Sequence, residues 1–217
     1  MPTIGRICGE FYRLGLLREL EERLERAGLG PVAGVDEAGR GCLAGPVVAA
    51  AVIPAERPAL PGVDDSKQLS PELRDELAAA IRGSARAWAV VAVPPSTIDA
   101  INILEASRRA MCLALSQLGQ RPAVVVSDAT RLDACGLPVL ALVKGDALSY
   151  AVACASILAK QERDRLMVEL DRDYPHYGFA SHKGYAVPEH IEALARFGPS
   201  PVHRLTYWPV VPRGEVA

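Results

Sequence analysis

The sequence lacks the long apolar runs that membrane proteins need. Its longest uncharged apolar run, Cys42 to Pro54, is well short of the ~20 residues that cross a bilayer. The N-terminus carries charges where a secretory signal peptide requires an apolar segment. We therefore expect a soluble cytoplasmic protein with no membrane partner.

Cysteine is scarce and irregularly placed. The five cysteines are odd in number and scattered, without the close pairing of zinc sites or disulfide scaffolds. We expect them to be reduced and mostly buried.

Basic residues are slightly fewer than acidic residues. There are 24 Lys and Arg against 26 Asp and Glu, giving a formal net charge of -2, whereas a nucleic-acid partner usually requires a basic surface. Two bound divalent cations would change the charge from -2 to +2, so composition does not decide this question. Half of the 217 residues are hydrophobic, which is enough to bury the core of one domain.

The chain is organised around one stretch, residues 32–41. Asp36 and Glu37 end an apolar strand, and Gly39-Arg40-Gly41 forms a tight turn before a second apolar strand. A carboxylate on a buried strand costs several kcal/mol unless it is paired or becomes neutral. A metal ion would pair with several such acids at once; the alternative is that the two acids face solvent at the strand end.

Hydrophobic periodicity and turn residues predict an alternation of strands and helices. Strands are predicted over Val32–Glu37, Ala44–Ile53, Ala87–Val93, Ala123–Asp128 and Val139–Val143, and helices over Glu10–Ala27, Pro71–Arg82, Ser96–Gly119, Ser149–Asp171 and Pro188–Phe197. Ser70 is the expected N-cap of the second helix, and Ser96 begins a capping box for the third. The first three strands should form an antiparallel meander. The leucine stripe from Phe11 to Leu24 should pack against the core.

Two more acids follow apolar strands, Asp128 directly and Asp146 after Lys144-Gly145. Helical crossovers bring such strand ends to one edge of a sheet. A carboxylate cluster without paired His or Cys suits Mg²⁺ or Mn²⁺, and two such ions are the usual device for attack of water on a phosphodiester. Alternatively, Asp128 only ends its strand and Asp146 only favours a helix start.

Five motifs in this order resemble those of a known family. They are Asp36-Glu37-Ala38-Gly39-Arg40-Gly41, Asp65-Ser66-Lys67-Gln68-Leu69-Ser70, Lys144-Gly145-Asp146, Ala155-Ser156-Ile157-Leu158-Ala159-Lys160 and His182-Lys183-Gly184-Tyr185. Together they resemble type 2 ribonuclease H, the bacterial ribonuclease HII family, from about Val32 to Arg204.

The resemblance implies a ribonuclease H-like α/β fold, with a mixed five-stranded sheet flanked by helices and a C-terminal helical segment. Residues 1–30 would be a helical lead-in, 31–172 the catalytic core, and 173–217 the segment over the substrate groove. The four acids would be the catalytic metal ligands: Asp36, Glu37, Asp128 and Asp146. The substrate-binding residues would be Gly39, Arg40, Gly41 and Tyr185 at the ribose, and Lys67, Arg40 and Lys183 near phosphates.

The implied activity is that of an endoribonuclease using two Mg²⁺ or Mn²⁺ ions. It would degrade the RNA strand of RNA/DNA hybrids and cut 5′ of single ribonucleotides in duplex DNA, leaving 3′-hydroxyl and 5′-phosphate ends. We expect a monomer, and residues 210–217 show no motif typical of sliding-clamp binding.

Two residues depart from the family pattern. Cys42 stands where relatives commonly have Pro, and Ala129 where they commonly have Gly. If the backbone at Ala129 requires a positive φ, alanine costs roughly 1 kcal/mol there. The four histidines, all in the last fifth of the chain, match no metal-binding spacing, which favours polar-network or phosphate-edge roles.

Two other functions remain open on the residues alone. Another nuclease of the ribonuclease H fold, such as a resolvase or an exonuclease, uses similar acids. A non-catalytic nucleic-acid-binding domain is the second alternative, although four clustered acids without metal would repel phosphate.

Overall fold

A mixed five-stranded sheet forms the centre of this computed structural model, which describes residues 3–56 and 59–210. The strands are β1 Val32–Ala38, β2 Val47–Ile53, β3 Ala87–Val93, β4 Val124–Asp128 and β5 Val139–Leu142. Their order is β3-β2-β1-β4-β5; the first three are antiparallel, and β4 runs parallel to β1 and to β5. The predicted meander and mixed sheet are confirmed, and the two acid-bearing strands, β1 and β4, are neighbours. Residues 211–217, which belong to the stretch without a sliding-clamp motif, lie outside the described residues.

Helices cover both faces of this sheet. They are α1 Ile4–Arg26, α2 Pro71–Ser84, α3 Pro95–Ile101, α4 Ile103–Ser116, α5 Gly145–Leu148, α6 Tyr150–Asp173, α7 Phe179–His182 and α8 Pro188–Phe197, with a 3-10 turn over Asp133–Cys135. Side chains of β2 alternate between the two layers, so that Ala50 and Val52 pack with α6 while Ala49 and Ala51 pack with α4. Within the described ranges, no helix has the length and hydrophobicity to cross a membrane.

Helix α6 lies unusually close to β1 because Gly34 has no side chain. A Cβ at Gly34 would lie 2.0 Å from the carbonyl carbon of Ala151. Helix α6 is capped by Ser149, whose hydroxyl accepts from the Val152 N–H. Ser149 also donates to the buried carboxylate of Glu21, which ties α1 to the start of α6.

The prediction of a single helix from Ser96 to Gly119 is wrong, because the helix is broken at Asn102 and its second part ends at Ser116. Asn102 adopts φ 66° and its side-chain oxygen accepts from the N–H groups of Leu104 and Glu105, so that it starts a new helix, α4. Ser96 is not a cap. Asp99 instead accepts from Leu205 N–H and from Thr206, anchoring the C-terminal segment.

Other predicted boundaries need smaller corrections. Helix α1 begins at Ile4 rather than Glu10, and Phe11 on it is 63 % exposed, so Phe11 does not pack as predicted, whereas Leu14 and Leu17 are buried. Strand β2 begins at Val47, because residues 44–46 turn away to meet the C-terminal segment, where Gly45 N–H donates to Val202. The cap at Ser70 is confirmed.

Replacing Gly34 by Ala should strongly destabilise the fold, because the new methyl group would overlap the backbone of α6. We expect a loss of about 3 kcal/mol or more in the free energy of unfolding, measured by urea denaturation. Gly15 is the control: it is exposed on α1 with open space around its Cα. Gly15→Ala should stabilise by about 0.5–1 kcal/mol; equal effects of the two changes would contradict the close contact.

Candidate active site

Asp36 and Glu37 lie at the end of β1, where the strand leaves the core. Asp36 is 8 % exposed. Burial, reinforced by the negative charge of Glu37, raises the pKa of Asp36 well above its ordinary value. Burial also raises the pKa of Glu37, against the opposing effect of Arg40. The strand thus holds two carboxylates in a place that disfavours their charge.

The parallel pairing of β1 with β4 brings Asp128 to these acids. Val35 is in register with Ser127, so Asp128 lies at the same edge as Asp36 and its charge raises the pKa of Asp36 further. The Gly145 N–H donates to Asp128 Oδ1 over 2.9 Å. A Cβ at Gly145 would lie 3.2 Å from the Asp128 Cα, so glycine allows α5 to approach the end of β4.

Asp146 on α5 completes the cluster. Its pKa is raised by burial and by the charges of Asp128 and Asp65, and lowered by the nearby Lys67. The structure therefore brings all four predicted acids into one electrostatically coupled group. It also brings Lys67, one of the predicted phosphate contacts, next to that group.

In this structure the carboxylates of Asp36 and Glu37 accept hydrogen bonds from protein groups. Their oxygens do not point to one common position. Glu37 Oε1 pairs with Arg40 Nη1 at 3.0 Å, and Asp36 Oδ1 accepts from the Glu37 N–H at 2.8 Å. In the part of the chain that the structure describes, no three His, Cys, Asp or Glu side chains are close enough together to enclose a metal ion.

The donor set nevertheless fits a hard divalent cation. Glu37 Oε2 is buried without a hydrogen-bond partner, and an unpaired buried carboxylate oxygen is costly. The raised pKa values of Asp36 and Asp146 mark a site short of positive charge. Oxygen ligands alone favour Mg²⁺ or Mn²⁺ over zinc.

Ser156 on α6 connects this group to the polar loop before α2. Its side chain hydrogen-bonds Asp36, and its Oγ lies 2.9 Å from Ser66 Oγ. Arg74 holds the same loop by donating to the carbonyls of Ser66 and Leu69. The loop that carries Lys67 is thereby fixed against the acids.

Two buried arginines, Arg204 and Arg163, support the Gly39–Gly41 turn. Arg204 donates to the carbonyls of Gly39, Arg40 and Gly45 over 2.7 to 3.1 Å. Arg163 fills the space beside Gly39, where a Cβ would lie 1.9 Å from its Nε and where φ is +96°. Gly39 is thus required by packing and by conformation, whereas a Cβ at Gly41 would meet only open space.

Tyr185 lies beside this turn although it is far away in sequence. Its hydroxyl interacts with the Cys42 thiol, and the Leu43 N–H donates to the Gly184 carbonyl at 2.8 Å. The ring is 43 % exposed, with Lys160 Nζ 5.8 Å from its centroid. Cys42, one of the two departures from the family pattern, is fully buried and packs under the tyrosine.

The other predicted basic residues have different surroundings. Arg40 is exposed and pairs with Glu37. The Lys183 ammonium donates to the Ala180 carbonyl, and the side chain lines a surface groove with Arg74 and Arg172. No contact between Lys183 and the acids is found among the described residues.

Ala129, the second departure from the family pattern, has an unusual backbone conformation. Ala129 adopts φ 49°, the left-handed region that glycine tolerates best. Its N–H donates to Leu142 O at 2.8 Å, so the strand pairing holds the residue there. Ala129 therefore has the positive φ for which we expected alanine to cost roughly 1 kcal/mol.

Three of the four histidines form a polar network, as the sequence favoured; His190 and His203 are buried and His182 is partly buried. His182 stacks on His190 with ring centroids 4.5 Å apart, and His190 Nε2 lies 3.0 Å from His203 Nε2. His176 stacks on Phe197 instead.

Sequence reasoning did not single out Ser156, Arg163 or Arg204 for a role of their own. Arg163 and Arg204 are completely buried. A charged residue within the apolar pattern of α6 was an available signal for Arg163. No comparable signal marked Arg204.

Comparisons with known proteins point to one family. The family model described as Ribonuclease HII matches residues 33–210. A ribonuclease HII of Solibacter usitatus is 51% identical over 88% of this chain and 83% of its own length, and one of Rhodococcus erythropolis is 48% identical over 91% and 88%. The crystal structure of ribonuclease H2 from Pyrococcus horikoshii superposes with a TM-score of 0.70 at 30% identity, over 82% of this chain and 93% of that one.

Replacing Asp36 by Asn should stabilise the metal-free protein at high pH. The folded-state pKa of Asp36 is raised, so its charge opposes folding above that pKa, and the cost disappears as pH falls and the carboxyl takes up a proton. We expect a gain of about 1 kcal/mol or more near pH 8, which shrinks as pH falls towards the ordinary pKa of an aspartate. Urea denaturation in EDTA measures it.

The control for this change is Asp75→Asn, since Asp75 is exposed on α2. It should alter stability little at any pH. An Asp36→Asn protein that is no more stable than wild type at high pH would show that neither burial nor the neighbouring acids make the Asp36 charge costly.

Proposed function

The chain belongs to the ribonuclease HII family, whose members are metal-dependent endoribonucleases that act on RNA/DNA hybrids, and from that premise we propose how this chain recognises and cuts its substrate. Besides hybrids, it incises duplex DNA on the 5′ side of a single embedded ribonucleotide. The products carry 3′-hydroxyl and 5′-phosphate ends. The observation that supports this most is the position of Tyr185 beside the Gly39–Gly41 turn. That turn follows Asp36 and Glu37 closely in the sequence.

In this proposal Asp36, Glu37, Asp128 and Asp146 hold two Mg²⁺ or Mn²⁺ ions. Bound there, the ions supply an activated water and neutralise charge on the leaving oxygen. The protein's own part is positioning: Ser156 orients Asp36, and the Gly145 N–H orients Asp128. Arg40 holds the Glu37 carboxylate and is displaced towards substrate when the site is loaded.

The Gly39–Gly41 turn is proposed to recognise the 2′-hydroxyl, the group that distinguishes RNA from DNA at one nucleotide. Its carbonyls at Gly39 and Arg40 are engaged by Arg204. Among the described residues no acceptor is found for the N–H groups of Arg40 and Gly41, which can therefore donate to a ligand. The open space at Gly41 lets a sugar approach the backbone closely.

Tyr185 is proposed to recognise the following nucleotide. Its half-exposed ring can stack on a deoxyribose while its hydroxyl donates a hydrogen bond, which favours a junction from RNA to DNA. The adjacency of Tyr185 to Cys42 supports this role, because Cys42 directly follows the turn. Recognition of two successive sugars would thus take place next to the acids.

The basic residues are proposed to contact phosphates. Lys67 is the best placed, since it is exposed and close enough to Asp146 to lower its pKa. Arg40 is exposed at the same edge. Lys183 would contact the backbone farther along the groove, after its ammonium leaves the Ala180 carbonyl.

The predicted division of the chain is part of the same proposal. Residues 1–30 form a helical lead-in, 31–172 the catalytic core, and 173–217 a segment over the substrate groove. The chain acts as a monomer on RNA/DNA hybrids and on DNA duplexes that contain ribonucleotides.

The decisive experiment uses a labelled DNA duplex with one internal ribonucleotide. Incubation with Mg²⁺ or Mn²⁺ should give one cut 5′ of the ribonucleotide, with the ends mapped by ligation and by phosphatase sensitivity. Cutting of an all-DNA duplex, or a cut on the 3′ side, would refute the proposed specificity.

Asp128→Asn should lower turnover by orders of magnitude while preserving the fold, because asparagine retains the acceptor for the Gly145 N–H and loses the charge. Steady-state rates on a hybrid and on the single-ribonucleotide duplex measure it, with thermal melting to check folding. Asp133→Asn is the matched control, since Asp133 is exposed in the following 3-10 turn. Near wild-type turnover of Asp128→Asn, or full activity in EDTA, would remove the metal mechanism.

Tyr185→Ala should reduce kcat/KM on the single-ribonucleotide duplex by about tenfold or more, because a stacked ring is lost. The loss on a continuous RNA/DNA hybrid should be much smaller, since other ribonucleotides remain to be bound. Tyr12→Ala, at a tyrosine 71 % exposed on α1, should change neither rate. Equal losses on both substrates would mean that Tyr185 does not recognise the junction.

A further inference from the structure

A chain of hydrogen bonds runs through the buried histidines to the backbone of Tyr185. The Ser200 N–H donates to His203 Nδ1 at 2.9 Å, so His203 carries its proton on Nε2. His190 Nδ1 lies 2.8 Å from the Tyr185 carbonyl, which can only accept, so His190 carries its proton on Nδ1. The 3.0 Å contact between the two Nε2 atoms is then a bond from His203 to His190.

Both rings must be neutral for this chain to exist. A second proton on His203 would sit on Nδ1 and point at the Ser200 N–H. A second proton on His190 would sit on Nε2 and point at the Nε2–H of His203. Either would place two donors face to face. Burial lowers the pKa of His203 to about 4, and it lowers the pKa of His190 as well. The neutral pair therefore persists at neutral pH.

The Tyr185 carbonyl is one of the points at which the turn between α7 and α8 is anchored, besides the Gly184 carbonyl, which accepts from the Leu43 N–H. Tyr185 follows two consecutive left-handed residues, Lys183 at φ 52° and Gly184 at φ 80°, and lies in this sharp turn. The side chain is half exposed. The carbonyl, by contrast, accepts from both Val187 N–H and His190 Nδ1.

We propose that His190 and His203 are positioning residues for substrate recognition, holding the Tyr185 ring beside the Gly39–Gly41 turn through the bond from His190 Nδ1 to the Tyr185 carbonyl. This inference rests on the proposed role of Tyr185. Neither histidine touches substrate. Their effect should appear in the preference for the single-ribonucleotide duplex over the continuous hybrid.

The chain offers a matched pair of substitutions at His190. Asparagine places an amide N–H close to the position of Nδ1, so His190→Asn keeps a donor for Tyr185 and loses the partner of His203. Glutamine reaches the position of Nε2, so His190→Gln keeps a partner for His203 and loses the donor to Tyr185. Both remove the ring that stacks on His182, so the lost aromatic packing is comparable.

The measurement is the ratio of kcat/KM on the single-ribonucleotide duplex to that on the hybrid. His190→Gln should lower this ratio about tenfold, because a buried carbonyl loses one donor and its turn loosens. His190→Asn should stay within about threefold of wild type. In a Tyr185→Ala background, His190→Gln should lower the ratio no further.

Three results would overturn the inference: the same ratio for His190→Gln and His190→Asn, a proportional loss on both substrates, or a persisting effect of His190→Gln without Tyr185. If Tyr185→Ala alone leaves the ratio unchanged, the proposed junction recognition fails, and the inference fails with it. If Tyr185→Ala lowers the ratio and His190→Gln does not, only the inference fails.

A second variant covers the case in which His190→Gln does not fold. His203→Asn keeps an acceptor near Nδ1 for Ser200 and removes the donor to His190. It should lower the ratio in the same direction by a smaller factor, and an unchanged ratio would count against the relay. Imidazole ¹⁵N shifts should also show the Nδ1–H tautomer at His190 and the Nε2–H tautomer at His203; the reverse assignment would refute the hydrogen-bond chain.

Discussion

Two fully buried arginines join the parts of the site. Arg163 donates to the carbonyls of Ala44, Pro46 and Lys183, and Arg204 donates to the turn at Gly39 and Arg40. Because a buried guanidinium is costly unless its donors are satisfied, the turn, the segment before β2 and the C-terminal segment must stay together. The recognition elements thus share one hydrogen-bonded frame, and loosening any one of them exposes the charge of an arginine.

The acids impose the opposite requirement, since burial and the charges of their neighbours disfavour their ionised forms when no cation is bound. Asp36 and Asp146 have raised pKa values, and one oxygen of Glu37 is buried without a partner. The fold withstands this because Asp36, Glu37 and Asp128 lie at the ends of strands that are deeply packed, with α6 against Gly34. The core therefore stabilises a site that is unfavourable by itself, as expected where stability is given up for function.

Backbone strain is concentrated at the same place. Of the four non-glycine residues with positive φ in the described structure, Ala129 follows Asp128, Lys144 precedes Asp146 by two positions, and Lys183 precedes Tyr185 by two. Each costs on the order of 1 kcal/mol, and each persists because neighbouring hydrogen bonds hold it. The fourth, Asn102, begins α4 and is a structural cap.

Apolar periodicity and acids that follow strands are local patterns, so the strands, most helices and the proximity of the four acids could be predicted from the sequence. The sequence could not show that Asn102 divides a helix, because a cap at positive φ competes with an equally good capping box at Ser96. It could not show what Arg204 or His190 binds either. Their partners are backbone carbonyls, which every residue carries, so no pattern of residue types marks them. Only the tertiary structure, which brings those carbonyls to the side chains, decided these contacts.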